Sequence, residues 1–328
     1  MASIFVTGSA GFIGSHLCSK LVKNDHKVVG LDNLSNGKLS NLNSIIKSNN
    51  FTFLNGDIND TKLLRMSLNK IDYVFHLAAL ADIVPSIKNP LDYFRSNVAG
   101  TFNLINVCKD FKIKKLIYTA SSSCYGIPKK YPTDENSKIN SQYPYALTKN
   151  LGEQILLHFG EIYSIPTISL RLFNVFGPRA RTSGTYGAVF GVFLAQKLAR
   201  QPYTVVGDGK QTRDFTYVDD VVDVFLEMIN SDLSQEIFNV GSGNTYSINY
   251  LVKLLGGDFI NIPKRPGEPD CTFADITKIT KLTNWRPKVS FDEGVKKIID
   301  HIDDFKEAPL WNEKTIAEET KDWFKYLK

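Results

Sequence analysis

Residues 7–14 read Thr7-Gly8-Ser9-Ala10-Gly11-Phe12-Ile13-Gly14, with glycines spaced G-x-x-G-x-x-G. The apolar run Ile4-Phe5-Val6 precedes them, and an amphipathic pattern over 13–23 follows. Glycines in such a loop let the backbone turn tightly and approach a pyrophosphate, whose charge then meets the helix N-terminus. The spacing is not the commoner G-x-G-x-x-G, and a glycine triplet by itself often marks only a tight turn. Placement decides between the two. The triplet lies between strand and helix, and Asp32 closes the next β-branched run. A carboxylate there accepts bonds from ribose hydroxyls and repels a 2′-phosphate, which favours NAD over NADP. Gly8, Gly11, Phe12, Ile13, Gly14, Asp32 and the adjoining Asn33 are therefore cofactor candidates. Asp57 and Ile58, which follow Gly56 after a third strand, are placed to close around the adenine.

Working outward, short β-branched runs at 3–7, 27–31, 51–55, 73–76, 115–119 and 167–171 read as buried parallel strands. Amphipathic stretches at 13–23, 61–68, 101–111 and 145–161 lie between several of them. That alternation predicts an α/β fold of the Rossmann type, a doubly wound parallel sheet. After about Asn174 the rhythm breaks into Gly- and Pro-containing loops, a helix near 188–201 and a short strand near 204–206. The expected organisation is a cofactor domain over 1–175 and a smaller substrate-binding lobe over 176–328. Residues 213–240 are expected to return to the first domain, so that the lobes interleave.

Of 328 residues, 43% are hydrophobic and 22% charged, an ordinary globular balance that argues against long disorder. The net charge of +5 suits a small anionic substrate and is too mild and scattered for nucleic acid. Cys18, Cys108, Cys124 and Cys271 form no C-x-x-C and have no histidine at ligand spacing, so neither a metal site nor a disulfide frame is expected. No apolar run approaches a membrane span, and the first strand starts almost at Met1, so no leader peptide is expected and the cytoplasm is the default location.

Tyr145 and Lys149 lie four residues apart, which puts both on one face of a helix. A lysine ammonium beside a tyrosine favours the phenolate, which can remove a hydroxyl proton while a hydride leaves the adjacent carbon. Upstream, Ser121-Ser122-Ser123 ends a strand, where α/β enzymes gather their working groups. A serine hydroxyl there could hold the same substrate oxygen. A Y-x-x-x-K spacing alone is common on solvated helices. It is the glycine loop and the strand-end serines that give it weight.

With these residues in view, the chain resembles the extended short-chain dehydrogenase/reductases of the nucleotide-sugar epimerase/dehydratase family. The similarity runs from the glycine loop through Asp275, and the pattern is most similar to 4-epimerases acting on UDP-N-acetylglucosamine and UDP-galactose. The resemblance implies catalytic roles for Ser121, Tyr145 and Lys149. Ser122 and Ser123 stand where the sugar 4,6-dehydratases of the family carry an Asp-Glu pair. Eliminating water needs a positioned acid and base that two hydroxyls do not easily supply, which argues against a dehydratase. Leu77, Ala78 and Ala79, in His76-Leu77-Ala78-Ala79, are implied to pass the nicotinamide ribose and phosphates, and Ser86 to face the sugar. Asn97 resembles the structural asparagine of the family's central helix and joins the cofactor set.

On the substrate side the resemblance implies Asn174 as a hydrogen-bond donor to a phosphate, Arg213 and Arg265 for the diphosphate, and Glu268 for the nucleotide ribose. Two planar guanidinium forks suit a diphosphate because each binds oxygens bidentately. Val205 belongs to the implied base-binding strand, and Thr272 aligns with a gatekeeper whose small size predicts a roomy sugar pocket. Residues 181–187 and the tail after Ile299, with Trp311 and Trp323 on an extra amphipathic helix, depart from the hexose epimerases of this pattern. The expected partner is a nucleotide-diphosphate sugar, and the helices near 92–111 and 143–159 imply a homodimer. The leading expectation is a 4-epimerase. The alternatives are a 4-dehydrogenase that releases its keto product, from a GDP-linked mannose or heptose sugar, and a non-catalytic NAD-binding regulator.

Overall fold

A computed structural model of the protein describes residues 1–180 and 188–327. Residues 181–187, singled out above as a departure from the hexose pattern, lie outside the described residues. The first strand, β1 (Ser3–Thr7), shows how the layers arise. Ile4 and Val6 pack in one hydrophobic cluster and Phe5 in another, on opposite faces of the pleat, as a side-chain period of two requires.

Helix α1 (Phe12–Lys23) follows, then β2 (Lys27–Asp32), β3 (Phe51–Asn55), α2 (Thr61–Ser67) and β4 (Tyr73–His76). Next come α3 (Ile83–Lys88), α4 (Pro90–Tyr93), a π-helical turn (Phe94–Ala99), α5 (Gly100–Cys108), β5 (Lys115–Ser121), α6 (Pro144–Ile162) and β6 (Thr167–Leu172). After β6 come β7 (Asn174–Phe176), α7 (Val189–Leu198), β8 (Tyr203–Val206), β9 (Thr212–Arg213), β10 (Phe215–Tyr217), α8 (Val218–Asn230) and β11 (Glu236–Val240). The chain then forms β12 (Tyr246–Ser247), α9 (Ile248–Leu255), β13 (Phe259–Ile262), α10 (Thr277–Leu282), α11 (Phe291–Asp300), α12 (Glu313–Glu319) and α13 (Lys321–Tyr326).

One seven-stranded sheet has the order β11-β6-β5-β4-β1-β2-β3, and its pairings are parallel throughout. This is the doubly wound Rossmann-type α/β architecture. The winding reverses at β1, whose neighbours are β2 and β4, so a crevice opens beyond the C-terminal ends of β1 and β4. On one face α1 and α8 cover the sheet with Leu17, Leu21, Val221 and Phe225. On the other, α2, α5 and α6 contribute Leu64, Leu104 and Leu156.

The second lobe is centred on Phe176, Phe190, Phe215, Tyr217 and Phe291. Phe215 and Phe291 stack with ring centroids 4.9 Å apart. The chain crosses back at α8: Val218 belongs to this second core, and Val221 onward to the first. Strand β11 then completes the sheet edge against β6. A further return, absent from the sequence reading, brings Ile279 and Trp285 into the first core. The tail also differs from expectation. Trp311 precedes the helices, and two short ones, α12 and α13, replace a single amphipathic helix. The break falls at Thr320, whose hydroxyl donates back to the Ile316 carbonyl at 2.7 Å. No helix among the described residues is long and apolar enough to cross a membrane.

Candidate active site

A cavity of about 1010 Å³ opens over the sheet crevice and runs on into the second lobe. Single-ligand pockets usually hold about 300–1,000 Å³, so this volume suits two adjoining molecules.

Its first wall is the glycine loop. Gly8 has φ +71°, and a Cβ there would lie 2.8 Å from the Ala78 nitrogen. A Cβ on Gly14 would overlap the Gly8 carbonyl oxygen, whereas one on Gly11 would sit 3.2 Å from it. The loop and the segment after β4 thus approach as backbone on backbone. Gly11 is the N-cap of α1 and no side chain caps it, which leaves that helix end for an anion. Gly8, Gly11, Phe12, Ile13, Gly14, Leu77, Ala78 and Ala79 all line the cavity.

Asp32 ends β2 and also lines the cavity. Its carboxylate accepts from the Ala10 amide at 2.9 Å and the Leu34 amide at 2.8 Å. Burial raises its pKa against those amide bonds. Asn33 donates to Asp57 at 2.7 Å. Burial pushes the Asp57 carboxyl up, but bonds from the Asn59 backbone and the Asn33 and Asn59 side chains hold it below its ordinary value. Asn33, Asp57 and Ile58 line the same end.

Asn97 departs from expectation. It is 1% exposed and is not among the cavity-lining residues. Its amide oxygen accepts from the Leu80 amide at 2.8 Å, and its nitrogen donates to the Leu80 carbonyl at 3.0 Å. Asn97 therefore clamps a wall of the cavity from behind. His76 is likewise behind the wall, between Thr7 and Thr101 at 2.8 and 2.9 Å. Burial, and then Lys149, lower its pKa to about 3, so it stays neutral.

The second wall carries Ser121, the last residue of β5, with Tyr145 and Lys149 from the first turns of α6. Pro144 starts that helix, where a missing N–H costs nothing. The Ser121 side chain is hydrogen-bonded to Tyr145 and lies 2.8 Å from the Ser123 hydroxyl. Burial raises the Tyr145 phenol, and the Ser121 bond pulls it back down. The lowering thus comes from Ser121 and not, as the helix spacing predicts, from Lys149. Lys149 is 4% exposed, with its ammonium 4.2 Å from the centre of the Tyr118 ring. Burial lowers its pKa to about 7, against the pull of Glu153. Near neutral pH it is poised between its charged and uncharged forms.

The third wall belongs to the second lobe. Arg213 and Arg265 converge on Glu268, at 3.0 and 2.8 Å. Burial opposes the Glu268 charge, but the two arginines hold its carboxyl below the ordinary value. In this structure Glu268 holds the arginines together, whereas the sequence reading set it against a ribose. Thr272 donates to Asn174 at 2.8 Å and accepts from the Asp214 amide at 3.1 Å. Asn174, Arg213, Arg265, Glu268 and Thr272 line the cavity with Ser122 and Ser123.

Two expected substrate residues do not reach it. Val205 is fully buried in the second core. Alternation along β8 turns Thr204 and Val206 to the cavity instead. Ser86 is also fully buried, and its hydroxyl donates to the Ile83 carbonyl at 2.6 Å. Ile83 and Val84 are the residues of α3 that line the site. The sequence reading missed Tyr143, Phe190 and Trp323, which line the cavity too. Tyr143 stands two residues before Tyr145, a placement that could have flagged it. Nothing local marks the other two.

The model of the NAD dependent epimerase/dehydratase family matches residues 4–241. A putative UDP-glucose 4-epimerase of Methanocaldococcus jannaschii is 36% identical over 304 residues, covering 90% of this chain and 97% of its own. The crystal structure of the UDP-glucuronic acid 4-epimerase from Bacillus cereus, in complex with UDP-glucuronic acid and NAD, superposes with a TM-score of 0.86. It is 34% identical, over 92% of this chain and 99% of that one. The UDP-N-acetylglucosamine 4-epimerase from Methanobrevibacter ruminantium M1 gives the same TM-score at 35% identity, over 92% and 97%. On a family match over residues 4–241 and 36% identity across nearly the full length of a relative, the chain belongs to the NAD dependent epimerase/dehydratase family.

Proposed function

We propose that this chain is a NAD-dependent nucleotide-sugar 4-epimerase acting on a UDP-hexose or UDP-N-acetylhexosamine. The observation that carries the reading is the meeting of Ser121, Tyr145 and Lys149 beside the glycine cradle, in one cavity with Arg213, Arg265 and Glu268. The relatives named as UDP-sugar 4-epimerases support it. The cofactor fits the residues present. A side chain on Gly14 would fill the cradle, and Asp32 lines the cavity with a carboxylate able to accept from ribose hydroxyls. When bound, NAD supplies an acceptor that takes a hydride from C4 and gives it back.

The chain does the rest. Tyr145 removes the O4 proton and returns it after the sugar has turned over. Ser121 holds O4 and its hydrogen bond favours the Tyr145 phenolate, with Lys149 one turn onward on the same wall. One C–H and one O–H bond break and re-form, so the product is an isomer of the substrate. Asn174, Arg213 and Arg265 hold the diphosphate end while the hexose rotates. The serines at 122 and 123 offer no carboxyl pair for eliminating water. Thr272, a small residue lining the cavity, supports a substrate pocket with room for an N-acetyl group.

Exposed apolar side chains on the helices near the site, Leu91, Phe94, Phe102 and Leu147, support pairing of two copies. Light scattering at micromolar concentration should then give twice the chain mass. The four cysteines are free thiols, in keeping with a cytoplasmic enzyme of polysaccharide precursor synthesis.

The test is to incubate the purified chain with UDP-glucose, UDP-galactose, UDP-N-acetylglucosamine, UDP-glucuronate and GDP-mannose. A C4-inverted UDP-sugar is expected. A released keto sugar would favour the dehydrogenase instead. Cofactor selectivity is a separate expectation: Asp32 should make NAD bind more tightly than NADP, and tighter NADP binding would contradict its assignment.

A further inference from the structure

The tail carries no motif that the function above uses, yet α13 delivers Trp323 to the cavity. The indole is 2% exposed and lines the site. Its Nε1 donates to the Pro266 carbonyl at 2.7 Å. The Arg265 guanidinium carbon stands 5.1 Å from the centre of the ring, and Arg265 in turn holds Glu268. In the other direction Trp323 lies 6.2 Å from the Tyr143 ring. Tyr143 stacks on Tyr145 at 6.5 Å, the planes 6° apart. One side chain thus touches the arginine group at one end and the aromatic pair leading to Tyr145 at the other.

The tail is anchored for this. A capping box of Asn312 and Thr315 starts α12. Glu319 at its end pairs with Lys88 of α3 at 2.9 Å, and Ile316 and Trp323 are buried in the second core, against which Ile83 and Ile87 of α3 also pack.

We propose that Trp323 is a substrate-positioning residue supplied by the C-terminal helix. It fixes the Arg265–Glu268 turn for the diphosphate and walls the space between that turn and Tyr145, where the hexose of a nucleoside-diphosphate sugar would lie. The inference rests on the nucleotide-sugar reading above. A guanidinium held over an indole loses less freedom when it closes on a phosphate.

The experiment uses the full chain with Trp323→Ala and Trp323→Phe. It reads KM and kcat for the UDP-sugar that the wild type turns over, UDP affinity by calorimetry, co-purified cofactor and melting temperature. Trp323→Ala should raise KM and weaken UDP binding at least about tenfold, with kcat within about threefold and cofactor content unchanged. Trp323→Phe keeps a ring under Arg265 without the Nε1 donor and should recover part of the loss. Unchanged KM and UDP affinity in Trp323→Ala would overturn the proposal. So would a parallel fall of kcat, cofactor content and melting temperature in both variants, which marks a merely structural role. A wild type that binds UDP but inverts no sugar would sink the epimerase reading alone, since the UDP titrations still decide the case of Trp323. A wild type that binds no UDP would overturn both.

Discussion

Tyr145→Phe should cut turnover by about 10²–10⁴-fold, the usual worth of a positioned general base, and leave bound cofactor in place. A hydride cannot readily leave an alcohol carbon unless the hydroxyl proton leaves too, so a base must touch that oxygen. Tyr145 lines the cavity, bonds to Ser121 at the end of β5 and has Lys149 one turn onward. His76, the competing base, is sealed between two threonines and held neutral. The substitution preserves packing. The ring keeps its edge contact with Tyr93 at 6.4 Å and its stack with Tyr143, and Ser121 keeps its Ser123 partner. Single-turnover kinetics on protein of unchanged cofactor content would isolate the proton step. Near-normal turnover would mean that the proton has another route.

Gly14→Ala should yield protein stripped of cofactor. A methyl group there would overlap the carbonyl oxygen of Gly8, and that neighbour is backbone that cannot swing aside. Either the loop or the start of α1 must shift, and both belong to the cradle. Overpacking of this kind costs about 1–3 kcal/mol, so melting temperature should fall as well. Gly11→Ala is the control, because its methyl would stand 3.2 Å from the same oxygen and asks only a small adjustment. Chromatography of the released nucleotide should show Gly14→Ala depleted at least about tenfold, the equivalent of 1.4 kcal/mol. Wild-type cofactor content in Gly14→Ala would contradict the cradle.

The first domain was largely legible because its signals are local. A β-branched run with turn residues at its ends fixes a buried strand without reference to distant residues. The ranges read for β1, β3 and β4 therefore coincide with the structure. Helix spacing likewise brought Tyr145 and Lys149 together. The errors arose where geometry depends on a partner. Val205 lay on the right strand but on its inward face, since which side of a two-residue period meets the core is set by the facing lobe. Ser86 was placed by motif, yet its hydroxyl is used within its own helix. Glu268 could not be seen to bridge Arg213 and Arg265, because Arg213 arrives from a strand 55 residues away. Trp323 was the least legible of all. Its meaning depends on packing against Pro266 and Tyr143, and no spacing rule announces that.

The central claim is that one site removes the C4 hydrogen of a UDP-sugar and returns it to the opposite face. The most direct measurement is to supply a UDP-hexose deuterated at C4, with no added cofactor, and to follow the product by NMR. The expected product is a C4-inverted sugar that retains its deuterium, formed over many turnovers with no keto sugar accumulating. Loss of the label to solvent, or a keto sugar released in proportion to enzyme, would contradict it.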